Sequence, residues 1–282
     1  MKFLICSKNF KLYENKWTSF AKKYPDIDFI FINDSEDNSF ITSNNLNLTF
    51  INNNSNVGKV KSFLNYIIKN NVNDWIFMCD DKDEIIDFDS FLNEFKTNKN
   101  LNFVYVADNL SKNNKIIGDK FDNANTLKDF YFKQGRVGDK FILIHSNHIL
   151  KNKEWFNSFL NFKTKIYEVV LLFYYYDLPA IKINPVIKHF YNKDGTSFNN
   201  LNDKLTNYEY YIWESHFVLK TNPHLKVVIS RLFVLWYLRK HFIKLKEIKF
   251  FYKLIYLLFY CFCLFPIVKK IYLKKLNHVI NE

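Results

Sequence analysis

The run Trp75-Ile-Phe-Met-Cys79 passes without a break into Asp80, Asp81, Lys82, Asp83 and Glu84. An apolar run of this length, bounded by polar residues, reads as a strand buried on both faces. Such strands belong to sheets covered by helices. Four acids at the carboxyl end of one strand repel each other unless a cation or strong donors lie among them. Ligands of open α/β sheets bind just beyond the carboxyl ends of the strands. The stretch is therefore either a solvated acidic turn or the seat of a divalent metal holding a phosphate.

The chain around it alternates in the same style. Phe3-Leu-Ile-Cys6 reads as a first strand opening onto Ser7, Lys8 and Asn9, and a helical stretch follows from about Tyr13 to Lys23. Phe29-Ile-Phe-Ile32 is a second strand that delivers Asn33 and Asp34, and Leu46 to Ile51 is a third. Gly58 opens a helix through Lys69, whose Val60, Phe63, Leu64, Ile67 and Ile68 fall at helical spacing. Beyond the acids come a short helix over Ser90–Lys96, then strands over Phe103–Ala107, Gly138–His145 and Ala180–Tyr191. Residues 108–135 read as a surface loop and lid, and Phe156–Tyr176 as mostly helical. Strand–helix–strand alternation at this spacing predicts a mainly parallel sheet with helices on its faces.

The charge is local. From residue 216 onward thirteen Lys and Arg residues face only Glu247 and Glu282, so this tail carries +11 of the total +12. Within it, Ile255–Val268 is apolar but interrupted by Pro266 and short of the roughly 20 residues that a spanning helix needs. An interfacial helix attracted to anionic lipid fits it, as does an ordinary helical subdomain with a basic face. The tail is very apolar for tracking nucleic-acid phosphates. Cys6, Cys79, Cys261 and Cys263 lack zinc-ligand spacing and suit buried free thiols in a reducing compartment. The seven histidines show no ligand spacing, and the apolar core of Met1–Ser7 is too short for a signal peptide.

Four pieces, in order, resemble the GT-A glycosyltransferases, and within them the inverting family 2 type of bacterial surface-polysaccharide synthesis. Phe29–Asn38 resembles the second-strand motif that ends in an Asp, without its usual Gly. Asn56-Val-Gly58 with Lys59, Lys61 and Asn65 resembles the Asn-x-Gly loop and the helix after it. Asp81-Lys-Asp83-Glu84-Ile-Ile-Asp87 resembles the Asp-x-Asp-Asp block, and Gly138-Asp-Lys140, Glu168 and Tyr191–Ser197 resemble an acceptor-side segment. The likeness covers roughly residues 1–200.

The resemblance implies a fold and a set of roles. The fold is α/β of the GT-A, Rossmann-like kind, with a mainly parallel sheet flanked by helices and a basic, aromatic-rich helical appendage. A GT-A domain over 1–205 and a membrane-associating helical region over 206–282 follow. Asp81 and Asp83 hold Mn²⁺ or Mg²⁺, a register preferred because one starting at Asp80 puts Lys82 in a ligand position. Ser7, Asn9, Asp34, Asn56, Lys61 and Asp81 seat the nucleotide sugar. Asp34 then accepts from a uracil or thymine ring; its alternative is a local turn bond. Lys59 and Lys61 either reach the diphosphate or line a solvated helix face.

Glu168, among Ile166, Tyr167 and Val169, is the general base, its pKa raised by desolvation. If Glu168 instead pairs with Lys163 or Lys165, the role falls to Asp139. The implied activity is metal-dependent, inverting hexosyl transfer from a nucleotide-diphosphate sugar, UDP-type, to a glycan or lipid-linked acceptor in capsule or lipooligosaccharide synthesis. The place is the cytoplasmic face of the inner membrane, against its anionic surface, with no nucleic-acid partner. The rivals are a nucleotidyl- or phosphotransferase, and a basic binding protein on a non-catalytic scaffold of the same fold.

Overall fold

The apolar runs do become strands. In the computed structural model, which describes residues 1–7, 10–34, 47–53, 55–122, 124–190, 200–239, 250–261 and 264–270, the chain opens with β1 (Lys2–Ser7), α1 (Phe10–Lys23), β2 (Asp28–Asn33), β3 (Leu48–Asn52), α2 (Lys59–Lys69) and β4 (Trp75–Asp80). It continues with β5 (Glu84–Ile85), α3 (Phe88–Asn98), β6 (Val104–Asp108), a π-helical turn over Asp129–Lys133, and β7 (Lys140–His145). Next come α4 (Asn147–Lys151), α5 (Lys153–Leu160), α6 (Glu168–Leu171), β8 (Ala180–Lys182) and β9 (Ile187–Lys188). Helices α7 (Asn200–Thr206), α8 (Tyr208–Lys220), α9 (Leu225–Tyr237) and α10 (Phe250–Cys261) follow.

Seven strands form one sheet in the order β3-β2-β1-β4-β7-β6-β8. β3, β2, β1 and β4 run parallel, while β7 is antiparallel to both β4 and β6. This is the α/β, mainly parallel, helix-flanked sheet expected from the sequence. Side chains alternate across it, so the aromatic residues of neighbouring strands meet on one face. Phe3 stacks on Phe77 at 4.0 Å and lies 4.8 Å from Phe29. All three are fully buried, each contributing roughly 1.5–3 kcal/mol by burial. Trp17 and Phe20 of α1 close over this face against Phe31 and Phe29.

Two expectations change here. The single strand over Ala180–Tyr191 is two short ones in different sheets: β8 pairs with β6, and β9 pairs with β5. Pro185 lies between them, and proline has no N–H with which to continue a ladder. The stretch 108–135 is not merely a surface loop, because Phe121, Leu127, Phe130 and Phe132 are all buried. It is also fixed at Gly118 and Gly138, where two backbone segments cross; a Cβ on Gly138 would lie 2.4 Å from the Ile117 carbonyl oxygen.

The chain groups into two compact units, Met1–Leu127 with Val137–Phe190, and Lys128–Arg136 with Tyr191–Glu282. The sheet belongs to the first. In the second, Leu219, Val228, Leu232, Phe233, Tyr252 and Phe265 form a core, and a buried Glu214 pairs with Arg231. Among the described residues no single helix is long and apolar enough to cross a membrane. Tyr252–Phe259 and Leu264–Lys270, bent by 85°, reach that length and composition only together.

Candidate functional site

Strand register places the site. Cys6 pairs with Asp80 on one side and Ile32 on the other, and Ser7 pairs with Asn33. The carboxyl ends of β1, β2 and β4 therefore lie side by side, with Asp80 as the last residue of β4. The chain then turns tightly. The Asp83 N–H donates to the Asp80 carbonyl (3.1 Å), and the Asp80 N–H donates to Asp83 Oδ2 (2.9 Å). From α1, the Lys16 ammonium donates to the carbonyls of Asp81 and Asp83, and the Trp17 indole N–H donates to that of Asp81 (2.7 Å).

The third member arrives from far along the chain. In the β5–β9 ribbon Glu84 faces Lys188 and Ile85 faces Ile187, so one step outward brings Asp83 against His189. His189 Nδ1 lies 2.8 Å from Asp83 Oδ1. The His189 N–H donates to the Leu110 carbonyl (2.8 Å), and the Leu110 N–H donates to that of Ile187 (3.0 Å). One ligand atom from each of Asp80, Asp83 and His189 falls within 4.8 Å of the other two.

Charge is concentrated here, around the buried Asp83. Burial alone would lower Lys59, but Asp80 above all, then Glu168 and Asp83, hold its ammonium well above the ordinary lysine value. Its Nζ lies 3.3 Å from Asp80 Oδ1 and 3.5 Å from Glu168 Oε1. At Asp80 burial is likewise outweighed, chiefly by Lys59 and then His189, so its pKa is lowered. At His189 burial is overcome by Asp83 first and then Asp80 and Asp139, so the imidazolium is favoured. Burial also raises the thiols of Cys6 and Cys79, and the neighbouring carboxylates add to it.

The residues expected from the sequence divide into several fates. Asp83 is in the cluster, but its partners are Asp80 and His189 rather than Asp81. The Asp81 carboxylate instead accepts from the Ser7 hydroxyl (2.6 Å), so the clustered acids lie three residues apart, a spacing that neither Asp-x-Asp register contains, with Lys82 outside the set. Asp34 is 1 % exposed and is occupied by protein donors. It accepts from the N–H groups of Val57 and Gly58 (2.9 Å each), from Ser62 Oγ (3.2 Å) and from Asn53 Nδ2 (3.3 Å). The carboxylate thus pins the loop containing Asn56, which is half-buried at the entry to α2.

Lys61 is buried and donates to the Phe162 carbonyl, tying α2 down instead of facing a diphosphate. Glu168 opens α6 with its side chain 54 % exposed, and its partner is Lys59, not Lys163 or Lys165. The apolar enclosure expected around it is absent because Ile166 and Val170 turn into the core while Glu168 turns outward. Asp139 is exposed. Lys140 is committed to a buried pair with Asp108 at 3.1 Å. Asn9 and Tyr191–Ser197 lie outside the described residues. His189 was passed over for want of ligand spacing; only the pairing of two-residue strands could have revealed it.

Two carboxylates and one imidazole, gathered around a small volume, are a donor set compatible with a divalent cation. Carboxylate oxygens suit Mg²⁺ and Mn²⁺ alike.

No family model matches the chain, and no curated protein matches it. Among solved structures, that of S. aureus TarS 1-349 is 13% identical, covering 86% of this chain and 72% of that one, with a TM-score of 0.49. The same protein in complex with UDP-GlcNAc is 12% identical over 86% of this chain and 73% of that one, with a TM-score of 0.49. The Francisella tularensis 2-C-methyl-D-erythritol 4-phosphate cytidylyltransferase is 16% identical over 71% of this chain and 98% of that one, with a TM-score of 0.41. Likeness at this level does not reach activity.

Proposed function

We propose that the protein is a metal-dependent glycosyltransferase that uses a nucleotide-diphosphate sugar, UDP-type, and acts on a glycan or lipid-linked acceptor in surface-polysaccharide synthesis. The observation that carries this reading is the Asp80–Asp83–His189 cluster at the carboxyl ends of parallel strands, where open α/β sheets take their ligands. Bound there, Mn²⁺ or Mg²⁺ would neutralise charge on the diphosphate leaving group. Asp81, held at the same strand ends by the hydroxyl of the buried Ser7, faces the nucleotide sugar in this reading. Glu168, open to solvent beside Lys59, takes the proton of the acceptor hydroxyl, as an inverting transfer requires.

The second unit is assigned to the membrane. Leu254, Leu257, Leu258 and Ile267 of the bent helical pair are exposed, and Lys253, Lys269 and Lys270 flank them. Apolar residues rimmed by lysine suit an anionic bilayer surface, and we take that surface to be the cytoplasmic face, beside lipid-linked acceptors. A second reading is nucleotidyl transfer. It gains from the cations Lys16, Lys59 and His189 gathered around the acidic turn, where the sequence promised few.

The test is a thermal-shift screen against UDP, GDP, dTDP and CDP, with and without Mn²⁺, on the wild type and Asp83→Asn. A ligand that binds only the folded protein raises its melting temperature by mass action. The reading expects a metal-dependent shift with one diphosphate, lost in the variant. A cooperative melt with no shift for any diphosphate would overturn it. Pyrophosphate release from a nucleoside triphosphate would favour the second reading.

A further inference from the structure

We propose that Lys59 is a tethered cation that guards Asp80 against free divalent metal and passes to the donor's diphosphate when the metal arrives. Metal and nucleotide diphosphate then bind as a pair. The inference rests on the reading of Asp80, Asp83 and His189 as a metal centre, and assigns a role to a residue outside that set.

The anchor of Lys59 is fixed at the start of a helix, and a long flexible stem carries its charge. It is the first residue of the 11-residue helix α2, preceded by Gly58 at φ +92°. The N–H groups of Val57 and Gly58 are both held by the buried Asp34 carboxylate. The side chain is 37 % exposed, and its ammonium lies between Asp80 and Glu168 at 3.3 and 3.5 Å. A four-carbon stem with freely rotating bonds can swing that charge by several ångströms without moving the backbone.

Asp80 cannot serve two cations equally. A divalent ion among Asp80, Asp83 and His189 lies close to the ammonium and repels it, so the ion must first weaken the Lys59–Asp80 pair. The displaced ammonium stays beside Glu168 at the first residue of α2, where its charge favours a phosphate oxygen. Binding linkage then requires that the metal strengthen diphosphate binding and that the diphosphate strengthen metal binding by the same factor.

The distinguishing signature is a pair of opposite effects. Calorimetric titration of MnCl2 alone into the full chain should show Lys59→Met binding Mn²⁺ at least about fivefold more tightly than the wild type. Titration of UDP with Mn²⁺ in excess, repeated with inorganic pyrophosphate so that the nucleobase does not decide the result, should show Lys59→Met binding at least about fivefold more weakly. Lys59→Arg, which keeps the charge, should follow the wild type in both. Lys59→Gln, which keeps a hydrogen-bond donor for Asp80, replaces the Met variant if a melting curve shows that the latter does not fold.

A side chain that merely packs would weaken both ligands or neither, and either outcome overturns the proposal. Tighter Mn²⁺ with unchanged diphosphate binding overturns the hand-over. Mn²⁺ binding by the wild type that the substitution leaves unaltered defeats the role of Lys59 and leaves the metal centre standing. Failure of Mn²⁺ to bind wild type and variant alike defeats the metal centre itself.

Discussion

Asp34 separates two accounts of the same carboxylate. The sequence suggested a nucleobase contact, whereas the structure gives it four protein donors, two of them backbone N–H groups at 2.9 Å. A hydrogen bond to a charged acceptor contributes about 1.5–3 kcal/mol. In Asp34→Ala the Gly58 N–H is buried and stays unsatisfied, while the half-buried Val57 can turn to water. The longer bonds from Ser62 and Asn53 add less, so the expected loss is about 3–4 kcal/mol.

Asp34→Asn keeps one oxygen for the loop and should lose about half as much. Urea unfolding followed by tryptophan fluorescence gives the free energies, since Trp17 and Trp75 are buried in the sheet unit. Hydrogen exchange supplies the local readout: the Val57 and Gly58 amides should lose protection in the Asn variant before the strands do. If Asp34→Ala remains within about 0.5 kcal/mol of the wild type yet loses diphosphate binding, the reasoning fails and the nucleobase role stands.

Two more outcomes are expected. Gly138→Ala should cost about 3 kcal/mol or more in urea unfolding, because φ is +123° and the new Cβ would strike the Ile117 carbonyl and Gly118 Cα; an unchanged midpoint would mean that the crossing is loose. Burial lowers His145 and His148, with Lys151 adding to the effect at His148. Both are therefore neutral in the fold, and their contribution is complete above the unfolded value of about 6.5 and lost as pH falls through their lowered folded values. Melting temperature should drop between about pH 7.5 and 5.5, and His148→Phe should flatten part of that drop; an unaltered slope would refute the assignment.

What could be read from the sequence follows the range of the interactions involved. Strands β1, β2 and β4 were legible because each is an apolar run whose burial is set by its own residues, and helix α2 because its apolar positions repeat locally. Asp83 was legible because it follows such a strand directly. The choice between Asp80 and Asp81 was not, since it depends on a turn closed by Asp83 and gripped by Lys16 and Trp17 of α1. The exposure of Glu168 was not legible, because its neighbours are apolar in sequence but point elsewhere in space. Lys61 and Asp34 were found as polar residues near the site, yet their partners, Phe162 and the Val57–Gly58 amides, are features of the main chain that composition does not record.

The two-rung ribbon of β5 and β9 has a kinetic meaning. It joins Ile85 to Ile187, and the Leu110–Lys188 bridge and the buried Val186 and Ile187 dock it on the sheet unit. Two rungs carry fewer main-chain bonds than the strands of the seven-stranded sheet, so the ribbon should open before the sheet does. When it opens, His189 leaves Asp83 while the seven-stranded sheet stays intact. The cluster can thus come apart and re-form in a folded protein, and a cation bridging both sides of the ribbon would act as its clasp.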